Sequence, residues 1–151
     1  MKKISLMLVD DHQMVLEGLK SLLQHHQDIE IRFACTNGQA AIDYLTQGNP
    51  IDMVLLDINL PGMNGFELCK LIKKKFPAIK IIALSTHQER SAVTRMLQNG
   101  ASGFLSKSVP ETSLTGGFAS ASLPLGVFSS IHFVIRAIWS SVRLRSLAKC
   151  E

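Results

Sequence analysis

The chain has few cysteines, one tryptophan and one tyrosine, and past residue 111 almost no acidic groups. Its three cysteines, Cys35, Cys69 and Cys150, are odd in number and far apart. They suit neither a disulfide framework nor a metal-ligand spacing, which excludes a small stapled secreted fold and favours a reducing cytoplasm. A secretory signal is not expected either. Lys2-Lys3 lead into an apolar stretch that stops at Asp10-Asp11, too short for a signal core. Nor is there a long uninterrupted apolar run. Leu125 to Leu144 comes nearest, but His132 and Arg136 near its middle argue against a membrane span.

Charge is scarce in one direction as well. The formal charge is +4, with 12 Lys/Arg against 11 Asp/Glu in residues 1–111, and four basic residues against Glu151 alone beyond them. The main body is nearly neutral, so no basic face for nucleic acid is expected on it. What remains is 46% hydrophobic and 19% charged, the balance of a globular chain with a real core.

Apolar periodicity alternates between two kinds. Ile4 to Val9 is apolar except for Ser5, as in a parallel strand buried on both faces. Val15, Leu19, Leu22 and Leu23 then recur at helical spacing through about His26. Ile29 to Cys35 predicts a second strand, and Ala41, Tyr44 and Leu45 a short helix closed by Gly48-Asn49-Pro50. Ile51 to Leu56 is the third strand, followed by Pro61-Gly62. Phe66, Cys69, Ile72 and Phe76 mark a helix ending before Pro77. Ile79 to Leu84 is the fourth strand, and Ala92, Val93, Met96 and Leu97 a helix stopped by Asn99-Gly100. Gly103 to Ser106 is the fifth strand. Strands alternating with helices predict an α/β fold, a doubly wound parallel sheet with right-handed crossovers.

Polar residues then fall where such sheets bind ligands, beyond the carboxyl ends of the strands. Asp10-Asp11 follow the first strand, Asp57 the third, Ser85 the fourth and Lys107 the fifth. Converging carboxylates repel, and burying one unpaired costs several kcal/mol. A hard divalent cation such as Mg²⁺, which takes oxygen ligands and keeps waters, removes the difficulty and can hold phosphoryl oxygens. Asp57 is then suited to attack phosphorus, with Lys107 and Ser85 facing the charge on the transferring group. An ionised carboxylate needs no general base, so no catalytic histidine is called for. Simpler readings stand beside these. Asp10-Asp11 alone could be a solvated turn capping a helix, Ser85 could cap the next helix, and Phe104 could be plain core. Lys73-Lys74-Lys75 reads as a solvated helix end, and His12 as a residue of the helix start or of a partner surface.

Taken together, Val9-Asp10-Asp11-His12, Leu56-Asp57-Ile58-Asn59-Leu60-Pro61-Gly62-Met63-Asn64-Gly65, Leu84-Ser85 and Gly103-Phe104-Leu105-Ser106-Lys107 resemble the receiver domain of bacterial two-component response regulators. The loop after Asp57 resembles the NarL/LuxR-type subfamily. The resemblance covers residues 3 to about 114, with the motifs in order at the right spacing. It implies a flavodoxin-like sheet of order 2-1-3-4-5. It implies that Asp57 accepts a phosphoryl group from the phosphohistidine of a sensor histidine kinase. Asp11 and Asp57 would coordinate Mg²⁺ directly, Asn59 through its carbonyl and Asp10 through water. Ser85 and Lys107 would bind the phosphoryl group, and Phe104 would be the aromatic switch that turns inward as Ser85 moves. The face of the fourth helix, fifth strand and fifth helix would carry the signal, usually by homodimerisation. Such a domain is a phosphoacceptor that assists its own transfer, not an enzyme in the ordinary sense. Alternatives are a receiver-like interaction module or phosphate sink that gives no output. A small aspartate-nucleophile phosphatase would need a general acid two residues past Asp57, where Asn59 stands.

The resemblance stops near Leu114. Pro110 to Leu114 starts like a fifth helix, but Gly116-Gly117 and Pro124 interrupt it. Residues 1–114 are therefore expected to form the receiver, and 115–151 an atypical Ser-rich, weakly basic tail without a helix-turn-helix. That tail reads as a truncated or frame-altered remainder. Direct DNA binding, usual in the family, is not expected of this chain, and dimerisation through the fifth helix is weakened.

Overall fold

A computed structural model of the chain describes residues 3–86 and 90–107. The order of elements is β1 (Ile4–Val9), α1 (Gln13–Leu23), β2 (Ile29–Cys35), α2 (Gly38–Thr46), β3 (Met53–Asp57), α3 (Gly65–Lys75), β4 (Lys80–Ser85), α4 (Arg90–Gln98) and β5 (Gly103–Ser106). The strands form one parallel sheet of order β2-β1-β3-β4-β5. Expected fold class and strand order both hold. The anticipated fifth helix and the tail lie outside the described residues, as does the boundary drawn between them.

Strand β1 is buried at every position, and so is β3. Alternate residues feed two cores. Met7, Val9, Val54, Leu56, Ile81 and Ala83 pack on the side of α2, α3 and α4. Ile4, Leu6, Leu8, Met53, Leu55 and Leu84 pack on the side of α1, through its Leu16, Leu19 and Leu23. Helices cover both faces, which is what makes apolar runs, not alternating ones, the right strand sequence here. Each fully buried aliphatic side chain contributes about 1.5–3 kcal/mol.

Two boundaries differ from the sequence reading by two residues or more, while β4 and the end of β3 shift by one. Helix α1 ends at Leu23, not near His26, because His26 N–H turns back to the Leu23 carbonyl at 3.1 Å and β2 must begin opposite Ile4. Strand β3 begins at Met53, two residues late. Asp52 is taken up in fixing the neighbouring strand, since its carboxylate accepts the Ser5 N–H at 2.9 Å.

Lys73 also departs from expectation. It does not reach into solvent but donates to the carbonyls of Pro77 (2.7 Å) and Ile79 (2.8 Å), tying the end of α3 to the start of β4. Burial, then the nearby Lys80, holds its ammonium below the usual lysine range.

Candidate functional site

The register of the parallel sheet brings the carboxyl ends of β1, β3, β4 and β5 to one edge. Val9 pairs with Leu56, Asp57 with Leu84, and Ser85 with Ser106. Asp10 and Asp57 therefore emerge side by side, and Lys107 follows directly after β5. Its N–H donates to the Ser85 carbonyl at 2.7 Å, which anchors the base of that side chain.

The loop after Asp57 is shaped by two glycines. Gly62 adopts a φ of +75°, which side-chain-bearing residues rarely take. At Gly65 a Cβ would stand 2.4 Å from the Asp57 carbonyl oxygen and 2.6 Å from the Ile58 Cα. Only glycine lets the start of α3 press against the backbone that carries Asp57, where Gly65 N–H donates to the Ile58 carbonyl at 2.8 Å. Asn64 closes the loop as an N-cap, its side chain accepting the Glu67 N–H at 3.0 Å.

Four side chains converge. Asp57 is 1% exposed and Asp10 is fully buried. The Lys107 ammonium lies 3.1 Å from Asp57 Oδ2 and closer still to Asp10 Oδ2. Asp57 Oδ1 accepts the Asn59 N–H at 3.2 Å, and Asp10 Oδ1 the His12 N–H at 2.9 Å. The inward oxygens, Asp10 Oδ2 and Asp57 Oδ2, receive no well-directed hydrogen bond; their contact is the ammonium. Asp11 is more exposed and meets His12 Nδ1 at 2.9 Å.

His12, read from the sequence as a residue of the helix start or of a partner surface, stands at the start of α1 and also joins the site. Its Nδ1 lies 3.1 Å from Asp10 Oδ1 and 3.9 Å from Asp57 Oδ2, inside the acidic cluster. It also occupies the N-cap of α1 without a side-chain cap bond, so the reading of Asp10-Asp11 as helix caps fails. Its place directly after Asp10-Asp11 was the available signal.

One ammonium does not balance three carboxylates. Burial pushes the Asp57 carboxyl up to about 6, helped by the Asp10 charge and opposed by Lys107 and the Asn59 N–H. One ligand atom from each of Asp10, Asp11, His12 and Asp57 lies within 4.8 Å of the others. With buried carboxylate oxygens lacking good donors and an oxygen-rich donor set, the cluster fits a hard divalent cation. Beside it opens a cleft of about 330 Å³ lined by Ile58, Asn59, Phe66, Ser85, Ser91, Ala92 and Arg95. Ser85 is thus buried between the cluster and this cleft. Phe104 is partly buried against the core and pairs with Ala83, two residues before Ser85.

Residues 6–117 match the family described as "Response regulator receiver domain". The chain belongs to that family. It is 36% identical over 112 residues to the transcriptional regulatory protein DegU of Brevibacillus brevis, covering 74% of this chain and 47% of that protein. Among solved structures, the receiver domain of the response regulator NarL from Mycobacterium tuberculosis aligns with TM-score 0.67 and 28% identity, covering 74% of this chain and 90% of that one. The response regulator domain of CheB from Thermotoga maritima aligns with TM-score 0.75 and 27% identity, covering 91% and 96%. The relatives are of the NarL/LuxR kind, and this chain spans about half of their length, 47% for DegU. The receiver's motifs in this chain therefore stand on a receiver fold. No described helix is long and apolar enough to cross a membrane.

Proposed function

We propose that Asp57 is a phosphoacceptor, taking a phosphoryl group from the phosphohistidine of a sensor histidine kinase. An Asp57 carboxylate oxygen forms the new bond to phosphorus, the phosphorus–nitrogen bond breaks, and its electron pair leaves on the imidazole. The observation that carries this reading is Asp57 itself: a carboxyl 1% exposed, crowded by Asp10, and met by a buried ammonium. Such a group costs stability at rest and is repaid only by a ligand that brings charge of its own.

Mg²⁺ would be held by Asp11 and Asp57 directly, by the Asn59 carbonyl, and by Asp10 through water. Bound there, it supplies the positive charge that draws phosphoryl oxygens and offsets the carboxylates. Lys107, already aimed at Asp57 Oδ2, faces one phosphoryl oxygen as a point charge. The Ser85 hydroxyl takes another, and its shift toward the new dianion lets Phe104 turn inward. The output is a change in the surface of α4 and β5, a packing event biased by one charged group. Residues 1–114 make up this receiver and 115–151 a tail apart from it.

Incubation with acetyl phosphate and Mg²⁺ tests the proposal. A phosphoryl mass gain on the intact chain, lost in Asp57→Asn and in EDTA, is expected. No gain in the wild type refutes phosphoacceptance and leaves a receiver-like interaction module.

A further inference from the structure

From Leu68 to Lys107 the chain has one acidic residue, Glu89, among a series of lysines and arginines. The near balance of charge over the main body, from which no basic face was expected, therefore hides a segregation along the sequence. Acidic groups cluster in the first half, where Asp10, Asp11 and Asp57 are taken up by the site.

The packing of α3 on α4 gathers the cations of the second half. The Arg95 guanidinium lies 4.4 Å from the centre of the Phe66 ring, and Asn99 Nδ2 donates to the Phe66 carbonyl at 3.2 Å. Gly100 abuts the Lys73 stem, where a Cβ would stand 2.9 Å from Lys73 Cγ. Positions 66, 70 and 74 follow one another along a single stripe of α3, roughly 12 Å long at 1.5 Å per residue. Lys70 and Lys74 thus continue the line that Arg95 begins over Phe66. All three side chains are exposed, and none is paired with a carboxylate among the described residues. Glu67, at the opening of α3, is the single acidic residue of that helix.

A protein partner normally seats an apolar core inside a polar rim. This face offers little of one: the Phe66 ring is covered by Arg95, and of the two exposed large hydrophobics among the described residues Met14 lies on α1 and only Leu97 on α4. Phosphate backbones need no such core. They are held by spaced cations in place of displaced counterions, at one charge per roughly 1.7 Å of duplex axis.

We propose that the α3–α4 face, through Lys70, Lys74 and Arg95, binds the phosphate backbone of duplex nucleic acid without reading its sequence. This contact is independent of phosphorylation chemistry and of any helix that reads base edges.

The test is fluorescence anisotropy of the full chain with a labelled mixed-sequence duplex of about 20 base pairs, titrated across salt. Three phosphate contacts predict a slope of log K against log salt of about −2.7. Lys70→Gln/Lys74→Gln is expected to bind roughly tenfold more weakly at about 50 mM salt, with the slope reduced by about 2. Lys20→Gln on α1 is expected to bind like the wild type. Melting curves for each variant establish that it is folded. Unchanged binding in the double variant overturns the proposal, as does absent binding at low salt. So does an equal loss in Lys20→Gln. Tighter binding to polyglutamate or to vesicles rich in phosphatidylserine than to the duplex overturns it too, by assigning the face to an acidic protein or a membrane.

Discussion

Replacing Asp57 by asparagine is expected to stabilise the metal-free protein, and to do so only above a definite pH. In the unfolded chain the Asp57 carboxyl ionises near 3.8, whereas in the folded chain burial raises it to about 6. The folded form therefore keeps its proton between those values while the unfolded form has released it. Stability contributed by the protonated carboxyl is complete below about pH 4 and is lost as the pH rises through 6. A rise of about two pKa units corresponds to roughly 3 kcal/mol at 1.36 kcal/mol per unit. Asparagine matches the shape and carries no charge to desolvate, but its amide brings a donor towards the Lys107 ammonium, so about 2 kcal/mol of gain is the fair figure. For a domain of this size that raises the melting temperature by roughly 8 °C. The assay is thermal melting followed by circular dichroism in EDTA, at about pH 4.5 and about pH 8. The variant should exceed the wild type at the higher pH and by much less at the lower, where most of the folded wild type still carries the proton. Added Mg²⁺ should then raise the wild type more than the variant, because only the wild type keeps all three carboxylates. A variant no more stable than the wild type at the higher pH, or a gap equal at both, refutes the reasoning.

Three further outcomes follow from the same geometry. Lys107→Ala leaves buried Asp10 and Asp57 without their ammonium, so it should lose about 3 kcal/mol of stability above pH 6 and all phosphoryl uptake, read by melting and intact mass. Gly65→Ala forces a methyl against the Asp57 carbonyl, 2.4 Å from its Cβ position; a loss of about 2 kcal/mol and slower uptake from acetyl phosphate are expected in the same assays. The Cys35 and Cys69 thiols are buried and pushed up to about 11, so peptide mapping after brief maleimide treatment of native protein near pH 8 should find both unlabelled until denaturant is added.

The elements and their order were legible in the sequence because their signals are local. Short apolar runs such as Ile4 to Val9, closed by polar residues, read as strands buried on both faces, and Gly103 to Ser106, bracketed by turn residues, matched its strand to the residue. The four residues at the sheet edge were legible for a related reason. In a parallel sheet every strand delivers its carboxyl end to the same side, so Asp10, Asp57, Ser85 and Lys107 had to become neighbours once the strands were placed. Element ends were less legible, since α1 and β3 are trimmed by contacts with distant chain, namely Ile4 opposite Ile29 and Asp52 beside Ser5.

The sequence by itself determined the sheet, its helices and the residues that gather at its edge, through periodicity and the polarity of strand ends. Tertiary structure alone decided the rest. It brought His12, expected only at the helix start or on a partner surface, to within 3.9 Å of Asp57 Oδ2 at the end of β3. It turned Lys73 onto two carbonyls while leaving Lys70 and Lys74 outward, a distinction invisible in a run of like charges. It also set the proton affinity of Asp57. That quantity depends on how much water is excluded and on charges 47 and 50 residues away, Asp10 and Lys107, whose distances no local pattern encodes.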